Sequence, residues 1–333
     1  MRDNSAVARR LVPSTARPAL IRAARRAGDD YGAPGEPDWR QVDWRAHLHD
    51  IELDGRRVHY VDLGQGEGPP VVFVHGLGGC WQNWLENLPA VARRRRALAL
   101  DLPGFGRSEL PTGEVSITNY ARTVEGLCAA LELGPVAVVG NSMGGFVAAD
   151  LPLHFPERVE RLVLVAAAGI TITDLRREPA RTFMRLGAAV AAAGARRIEA
   201  FLARPVTRQA AFGWVVRHPT RLAPDLLWEQ AQGTGAPGFL LALDALRTYD
   251  FRDRLPEIAC PTLVVQGTHD MLVPERDAYE FERLIPRSQT LIMQDTGHLP
   301  MLERAPTFNQ ALLEFLDAPA ADAAPPGEQV VVS

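Results

Sequence analysis

The chain has 333 residues, 47% of them apolar and 23% charged, which is typical of a folded protein with one large core and room for an insertion. The net charge of −4 argues against a general nucleic-acid-binding protein. All 36 basic side chains are arginine, and the absence of lysine excludes a Schiff-base lysine, a P-loop lysine and a Ser–Lys catalytic dyad.

Residues 1–45 form a basic extension rich in Ala, Arg and Pro, with seven arginines and one acid between Arg2 and Arg26. A weakly apolar helix is predicted over residues 18–27, and we expect it to lie on the core or to form a frayed tail; contact with an anionic membrane surface or a partner is the less favoured alternative. Neither a secretory apolar segment nor a run of roughly 18 apolar residues, enough to cross a bilayer, is found. The three cysteines are scattered, which argues against a disulfide framework or a zinc site, and a cytoplasmic location is expected.

Short apolar runs alternate with helical patterns from residue 46 onwards. The first two predicted strands flank the turn Asp54-Gly55, a hairpin signal. Predicted strands cover residues 49–53, 57–63, 71–75, 96–101, 136–140, 161–166, 262–266 and 289–293, and predicted helices cover 81–92, 117–133, 144–155, 275–284 and 305–316. This alternation predicts an α/β fold with a mostly parallel central sheet and helices on both of its faces.

The interval 171–255 interrupts this alternation, because it contains no strand candidate and several helical segments rich in Ala, Leu and Arg. We interpret it as a helical cap above the carboxyl ends of the strands, where open α/β sheets bind their ligands. The core domain then comprises residues 46–170 and 256–317. The Ala/Pro-rich residues 318–333 are predicted to be a disordered tail.

The sharpest motif is Gly140-Asn-Ser142-Met-Gly144, which directly follows a predicted buried strand and directly precedes a predicted helix. A serine on such a strand-to-helix turn is held in a strained conformation with its hydroxyl above the sheet, and the two glycines leave room for the tight crossing. The start of the helix adds partial positive charge beside that hydroxyl. Ser142 is therefore the predicted nucleophile.

A serine hydroxyl needs a base, and the base needs an acid that fixes its tautomer. Among eight histidines, His298 lies in a polar, glycine-containing loop between the last predicted strand and the last helix. Asp270 follows a buried strand, which gives the chain order Ser, Asp, His that goes with this kind of nucleophile turn. Asp174 and Asp295 are the competing acids.

The oxyanion of the transition state also has to be stabilised by hydrogen-bond donors. A buried strand over residues 71–75 runs into the glycine-rich turn Gly76-Leu77-Gly-Gly. The backbone N–H groups of Leu77 and Met143 are the predicted donors. His75 and Gly76 are expected to support this turn through hydrogen bonds, with no proton transfer by His75.

Together these motifs resemble the α/β-hydrolase superfamily, in its cap-bearing branch of esterases and lipases. The resemblance covers residues 51–316 and implies a cofactor-free, metal-free hydrolase of a small-molecule ester. It rests on the oxyanion turn, the segment after the fourth strand, the nucleophile turn, the acid loop and the histidine loop: His75-Gly76, residues 101–108, residues 140–145, residues 267–270 and Gly297-His298.

The nucleophile turn is also similar to that of meta-cleavage-product hydrolases, which cleave carbon–carbon bonds in dienoic diketo acids. Those enzymes usually carry a Gly-Pro-Gly-like oxyanion turn and a Trp near the end of the acid strand, whereas this chain has Gly-Leu-Gly-Gly and Gln266. Dehalogenases and epoxide hydrolases of the superfamily carry an Asp in place of Ser142. We therefore expect ester hydrolysis through an acyl-enzyme, with C–C hydrolysis as one alternative and a non-catalytic ligand-binding protein of the same fold as another.

Overall fold

A central sheet of eight strands organises the residues described by the computed structural model, which are 23–171, 202–319 and 329–332. The strands from β4 to β8 pair in chain order and in parallel. The α/β fold with a mostly parallel sheet is therefore confirmed. The strands are β1 (Leu48–Leu53), β2 (Arg56–Val74), β3 (Arg95–Leu100), β4 (Val136–Asn141), β5 (Val159–Val165), β6 (Thr262–Gly267), β7 (Ser288–Met293) and β8 (Gln329–Val332).

Strand β2 is a single long strand with two arms that enclose β3, whereas two separate strands were predicted. In the first arm, Tyr60 pairs with Leu100 and Leu63 pairs with Ala97, so this arm runs in the opposite direction to β3. In the second arm, residues 71–74 pair in the same order with residues Ala97 to Leu100, so this arm is parallel to β3. It also pairs with β4. Between the arms, the chain passes closely around the start of β3 at Gly66. This is possible because glycine has no Cβ, which at this position would lie only 1.9 Å from the carbonyl oxygen of Arg94.

The helices cover both faces of the sheet, and each face has its own apolar cluster. Successive side chains of one strand therefore enter different clusters: Val72 and Val74 pack on one face, and Val71 and Phe73 on the other. The helices are α1 (Leu88–Ala92), α2 (Ile117–Ala130), α3 (Met143–His154), α4 (Pro205–Phe212), α5 (Pro224–Gln230), α6 (Phe239–Thr248), α7 (Arg276–Leu284), α8 (Pro300–Glu303) and α9 (Ala305–Asp317).

The helix predicted over residues 81–92 is shorter than expected. A 3-10 turn, Trp81–Trp84, comes first, and α1 starts only at Leu88. Pro89 lies in the first turn of α1, where its missing N–H is not needed for an intrahelical hydrogen bond.

The proposed cap is described only over residues 202–255, which contain α4 to α6 and short 3-10 turns. Residues 172–201 lie outside the described part, and with them Asp174, one of the competing acids. The part of the cap segment that is described lies against the predicted oxyanion turn, residues 76–79. A Cβ at Gly233 would be 2.4 Å from the carbonyl oxygen of Gly79, and the ring of Phe239 lies 3.1 Å from the Cβ position of Gly78.

The described part of the N-terminal extension is docked on the core. Ala24, Ala27 and Tyr31 are buried, and both carboxylate oxygens of Glu86 bind this segment, accepting from Gly35 N–H at 2.6 Å and Trp39 Nε1 at 3.1 Å. Helical backbone is described over residues 23–26, and residues 1–22, which include the rest of the predicted helix, lie outside the described part.

The carboxyl-terminal segment differs from the prediction of a disordered tail. Residues 329–332 form β8, which extends the sheet by pairing in parallel with β7. The prediction is wrong for these four residues because it rests on the Ala/Pro-rich composition of the segment and gives too little weight to the Val-Val-Val run, which favours β structure. Residues 320–328 lie outside the described part.

Candidate active site

Ser142 occupies the turn between β4 and α3, as the motif predicts. Its φ of 56° and ψ of −118° form a strained combination for a residue with a side chain. The turn closes because Gly140 and Gly144 lack side chains: their Cβ atoms would lie 2.1 Å from the carbonyl oxygen of Gly144 and 2.2 Å from that of Val74. Ser142 is partly exposed, whereas its neighbours Asn141 and Met143 are buried.

The predicted oxyanion turn lies directly against this serine. A Cβ at Gly76 would be 3.1 Å from the Cβ of Ser142, a tight contact that glycine avoids where the two turns meet. Gly78 has a φ of +75°, which reverses the chain after Leu77, and Gly79 N–H closes the turn on the carbonyl oxygen of Gly76 at 3.0 Å. The structure therefore brings together the nucleophile turn and the turn that carries Leu77.

His75 is fully buried beneath this turn and uses both ring nitrogens. Its Nδ1 lies 2.8 Å from the carbonyl oxygen of Gly76, and its Nε2 accepts from Leu102 N–H at 3.0 Å. Because the carbonyl can only accept and the N–H can only donate, the ring is neutral with its proton on Nδ1. Burial lowers the pKa of His75, although the nearby Asp101 opposes this. In its uncharged form, His75 thus links Gly76 of this turn to the backbone of Leu102.

This buried neutral histidine predicts a loss of stability in mild acid. In the unfolded chain, His75 takes up a proton as the pH falls below about 6.5, whereas its lowered pKa in the fold resists this. Its contribution to stability is therefore complete above that pH and is lost as the pH falls towards the folded-state pKa. Compared with His75→Gln, we expect the wild-type free energy of unfolding to fall more steeply below pH 6.5, by up to about 1.4 kcal/mol per pH unit. Urea unfolding at pH 7.5, 6.5 and 5.5 measures both slopes; parallel curves would contradict the assignment.

His298 and Asp270 form a direct hydrogen bond of 2.7 Å between Nδ1 and Oδ2. Both side chains are buried, with 4% and 0% exposure. The other carboxylate oxygen of Asp270 accepts from the N–H groups of Leu272 at 2.8 Å and Val273 at 3.0 Å. Burial on its own would raise the pKa of Asp270, but the nearby His298 and these hydrogen bonds outweigh it and hold the pKa below its usual value. An ionised Asp270 accepts the Nδ1 proton and leaves Nε2 of His298 as the basic nitrogen.

Asp295, the competing acid in the histidine loop, does not bind His298. Its two carboxylate oxygens bind Arg217 Nε at 2.9 Å and His218 Nε2 at 2.7 Å. Asp295 therefore links the histidine loop to the cap segment, and of the two acids only Asp270 is in a position to orient the imidazole.

Two side chains that the sequence analysis did not assign connect these parts. Asn141 Nδ2 donates to the carbonyl oxygens of Val165 at 3.1 Å and His298 at 3.3 Å, which ties the residue before Ser142 to the histidine loop. Gln266 Nε2 donates to Asp270 Oδ2 at 3.0 Å. Both are amides at the carboxyl ends of buried strands, and that position was the signal in the sequence that could have identified them.

A cavity of about 370 Å³ opens beside the acid loop. Gln209 and residues 213–217 of the cap segment form one wall and residues 269–271 the other, with Trp214, Val215 and Met271 supplying apolar surface. No cluster of His, Cys, Asp and Glu that could hold a metal ion occurs in the described residues. Within the same residues no helix is both long and apolar enough to cross a membrane.

Comparisons with known proteins identify the family of this chain. The family model described as alpha/beta hydrolase fold matches residues 69–305. The chain is 32% identical over 275 residues to the dihydrolipoyllysine-residue acetyltransferase component of the acetoin cleaving system of Pseudomonas putida, covering 80% of this chain and 68% of that protein. It is 30% identical to the 2-hydroxy-6-oxo-6-(2'-aminophenyl)hexa-2,4-dienoic acid hydrolase of Metapseudomonas resinovorans, covering 80% and 89%.

Among solved structures, a thermophilic esterase from Thermogutta terrifontis superposes with a TM-score of 0.64 and 26% identity, covering 81% of this chain and 97% of that one. The family match extends from just before the second β2 arm to the first residue of α9, and so includes the nucleophile turn, the acid loop and the histidine loop. The chain therefore belongs to the α/β-hydrolase family and is a hydrolase of that fold.

Proposed function

We propose that this protein hydrolyses carboxylic esters of small or hydrophobic substrates through an acyl-enzyme formed on Ser142. The proposal rests on one observation: the Ser142 turn, the Gly76 turn and the loop of His298 lie together above the carboxyl ends of the strands. The strained Ser142 lies against the Gly76 turn, and Asn141 links it to the loop in which His298 is bonded to Asp270.

In the proposed reaction, Ser142 Oγ attacks the ester carbonyl carbon while its proton passes to Nε2 of His298. The tetrahedral intermediate collapses, the C–O bond to the alcohol breaks, and His298 returns the proton to the leaving alcohol. A water molecule, deprotonated by His298, then attacks the acyl carbon; the bond between that carbon and Ser142 Oγ breaks, His298 returns the proton to Oγ, and the carboxylic acid is released. Asp270 keeps the imidazole in the required tautomer and stabilises its positive charge during both steps.

The proposed donors to the oxyanion are the N–H groups of Leu77 and Met143. Met143 is the first residue of α3, and the first N–H groups of a helix have no intrahelical acceptor. The start of α3 also carries a partial positive charge, which stabilises the negative charge of the oxyanion. Leu77 directly follows Gly76, the residue of this turn that lies against Ser142.

The preference for apolar acyl groups is inferred from the cap segment. Phe239, the first residue of α6, packs its ring against Gly78 of the oxyanion turn. Gln230 secures the same segment by accepting from Asn83 Nδ2 at 2.7 Å and donating to the carbonyl oxygen of Gln82 at 2.8 Å. The surface beside the oxyanion turn therefore combines an aromatic ring with hydrogen-bonded amides, which suits an uncharged acyl chain better than a charged one.

Cleavage of a C–C bond is the second candidate. It is favoured by the 30% identity to the hexadienoic acid hydrolase, which covers 89% of that relative. The same nucleophile, base and acid could act on either substrate, so the two functions differ in the pocket and not in the proposed triad.

The assay that separates the two compares p-nitrophenyl acetate, butyrate and octanoate with 2-hydroxy-6-oxo-6-(2'-aminophenyl)hexa-2,4-dienoic acid. We expect kcat/KM for the best ester to exceed that for the dienoic acid by at least about tenfold, which corresponds to about 1.4 kcal/mol of differential transition-state binding. The reverse order would select the C–C hydrolase. If calorimetry shows that the protein binds the esters or the dienoic acid but it turns over none of these compounds, the non-catalytic ligand-binding protein is selected.

A further inference from the structure

We infer that Tyr31, in the segment that precedes β1, is a positioning residue for His298, acting through the buried carboxylate of Glu303. Tyr31 lies outside the stretch that matches the family model, which begins at residue 69. The inference rests on the proposed function, because it gives His298 the role of the base. It gives the N-terminal extension a part in the chemistry of the site.

Glu303, the last residue of α8, holds the loop on both sides of His298. Its side chain has 0% exposure. The carboxylate accepts from Gly297 N–H at 3.0 Å and from Leu299 N–H at 3.2 Å. The N–H of His298 itself donates to the carbonyl oxygen of Val215 at 2.8 Å. Three consecutive backbone N–H groups are thus fixed, two of them by one carboxylate, and the backbone position of the proposed base depends on where that carboxylate lies.

Two further donors fix the position of the carboxylate. Arg217 N–H, from the cap segment, donates to Oε2 of Glu303 at 2.8 Å, and the hydroxyl of Tyr31 lies 2.5 Å from the same oxygen. The direction of the second bond follows from its surroundings. Since Tyr31 accepts from His218 N–H at 2.7 Å, its own proton is directed to Glu303. Burial, together with the charge of Glu303, raises the pKa of Tyr31 well above its usual value, so the hydroxyl keeps that proton.

The segment that carries Tyr31 is anchored at several other points on the same helical region. Gly32 N–H donates to the carbonyl oxygen of Glu303 at 2.7 Å. The carboxylate of Asp30 binds Arg304 Nη1 through one oxygen and Thr307 Oγ1 through the other, the latter at 2.6 Å. These contacts hold the Tyr31 ring in place independently of its hydroxyl. Removal of the hydroxyl alone is therefore expected to leave the segment docked.

Without the Tyr31 hydroxyl, the buried carboxylate loses one of its donors and His218 N–H loses its acceptor. Unsatisfied buried polar groups carry a cost in free energy, and the carboxylate can reduce it by moving towards its remaining donors, Gly297 and Leu299 among them. Such a movement displaces the histidine loop relative to Ser142. Small errors in the position of a reacting group reduce the rate strongly, since a displacement of about 1 Å can cost about 10²-fold.

The test compares Tyr31→Phe, Glu303→Gln and the double variant with Tyr279→Phe. Tyr279 is a matched control, because its hydroxyl also binds a glutamate, Glu275 at 2.8 Å, but on the surface at α7. With p-nitrophenyl butyrate, we expect Tyr31→Phe to lower kcat by about tenfold with KM changed less than about twofold, and Tyr279→Phe to change neither. In the Glu303→Gln background, the Tyr31 substitution should have little further effect, because it acts through that carboxylate.

A second readout does not require activity. The proton shared by His298 and Asp270 should give a far-downfield ¹H NMR signal, identified by its loss in Asp270→Asn. We expect Tyr31→Phe to shift or broaden this signal and Tyr279→Phe to leave it unchanged. An unmoved signal would overturn the inference, and so would equal kcat values for Tyr31→Phe and the wild type, or additive losses in the double variant. If the wild type itself does not hydrolyse the ester, the proposed function fails, while the NMR signal still decides whether Tyr31 positions His298.

Discussion

Replacement of Ser142 by alanine is expected to lower kcat for the preferred p-nitrophenyl ester by a factor of about 10⁵ to 10⁶, with KM nearly unchanged. In the proposed mechanism the variant lacks the oxygen that forms the acyl-enzyme, so the proposed base and oxyanion donors have no tetrahedral intermediate to stabilise. Alanine retains the Cβ and the backbone φ of 56°, so the turn and its contact with Gly76 are kept. Steady-state kinetics over the ester series measure the loss, and intact-protein mass spectrometry after a fluorophosphonate probe identifies the modified residue.

Ser116→Ala is the matched control for this prediction. Ser116 is the N-cap of α2, where its Oγ accepts from Asn119 N–H at 3.1 Å. Its removal should cost about 1 kcal/mol in the free energy of unfolding and leave kcat unchanged. Wild-type rates in Ser142→Ala, or a probe adduct on a different residue, would show that the nucleophile lies elsewhere.

Asp270→Asn is expected to lower kcat by about 10⁴-fold while the fold is retained. Oδ1 of Asp270 accepts from two backbone N–H groups, so the asparagine must place its carbonyl oxygen there and its NH2 group towards His298. Nδ1 of His298 then becomes an acceptor and the ring proton moves to Nε2, which can no longer accept the proton of Ser142. The same NH2 group faces Gln266 Nε2, a second donor, so a loss of thermal stability is expected as well.

The control for Asp270 is Asp295→Asn, which tests the competing acid directly. Asp295 binds Arg217 and His218, so this substitution weakens contacts between the histidine loop and the cap segment without changing the tautomer of His298. We expect kcat to fall less than about tenfold. A larger loss for Asp295→Asn than for Asp270→Asn, measured with the same ester, would transfer the role of the acid to Asp295.

The parts of the site that could be predicted from sequence are those encoded by short local patterns. The turn at Ser142 was recognisable because a buried β-branched strand, two glycines and a helical pattern follow one another within ten residues of sequence. Asp270 and His298 were singled out because each lies in the loop that follows a predicted buried strand. In parallel sheets the carboxyl ends of strands lie at one edge, so residues far apart in sequence were expected to meet there.

The supports of the site could not be predicted in the same way. Glu303 and Tyr31 are separated by 272 positions, and nothing in either local sequence distinguishes them from a solvent-exposed glutamate and an ordinary core tyrosine. Their burial depends on how the N-terminal segment, the cap segment and the histidine loop pack together, which is a tertiary property. The same reason explains the merging of two predicted strands into β2, since the close passage of Gly66 around β3 exists only in the folded chain.

The enclosure of β3 by the two arms of β2 has a consequence for the order of events during synthesis. Both arms are synthesised before β3, and the second arm also precedes its other neighbour, β4. At about 5–20 residues per second, residues 75–100 take about 1 to 5 s to be made, so the arms emerge from the ribosome about 1 to 5 s before β3 does and expose unpaired edges during that time. Nascent chains of this protein should therefore be most vulnerable to aggregation, and most dependent on chaperones, when synthesis is paused after the arms have emerged and before β3 has emerged.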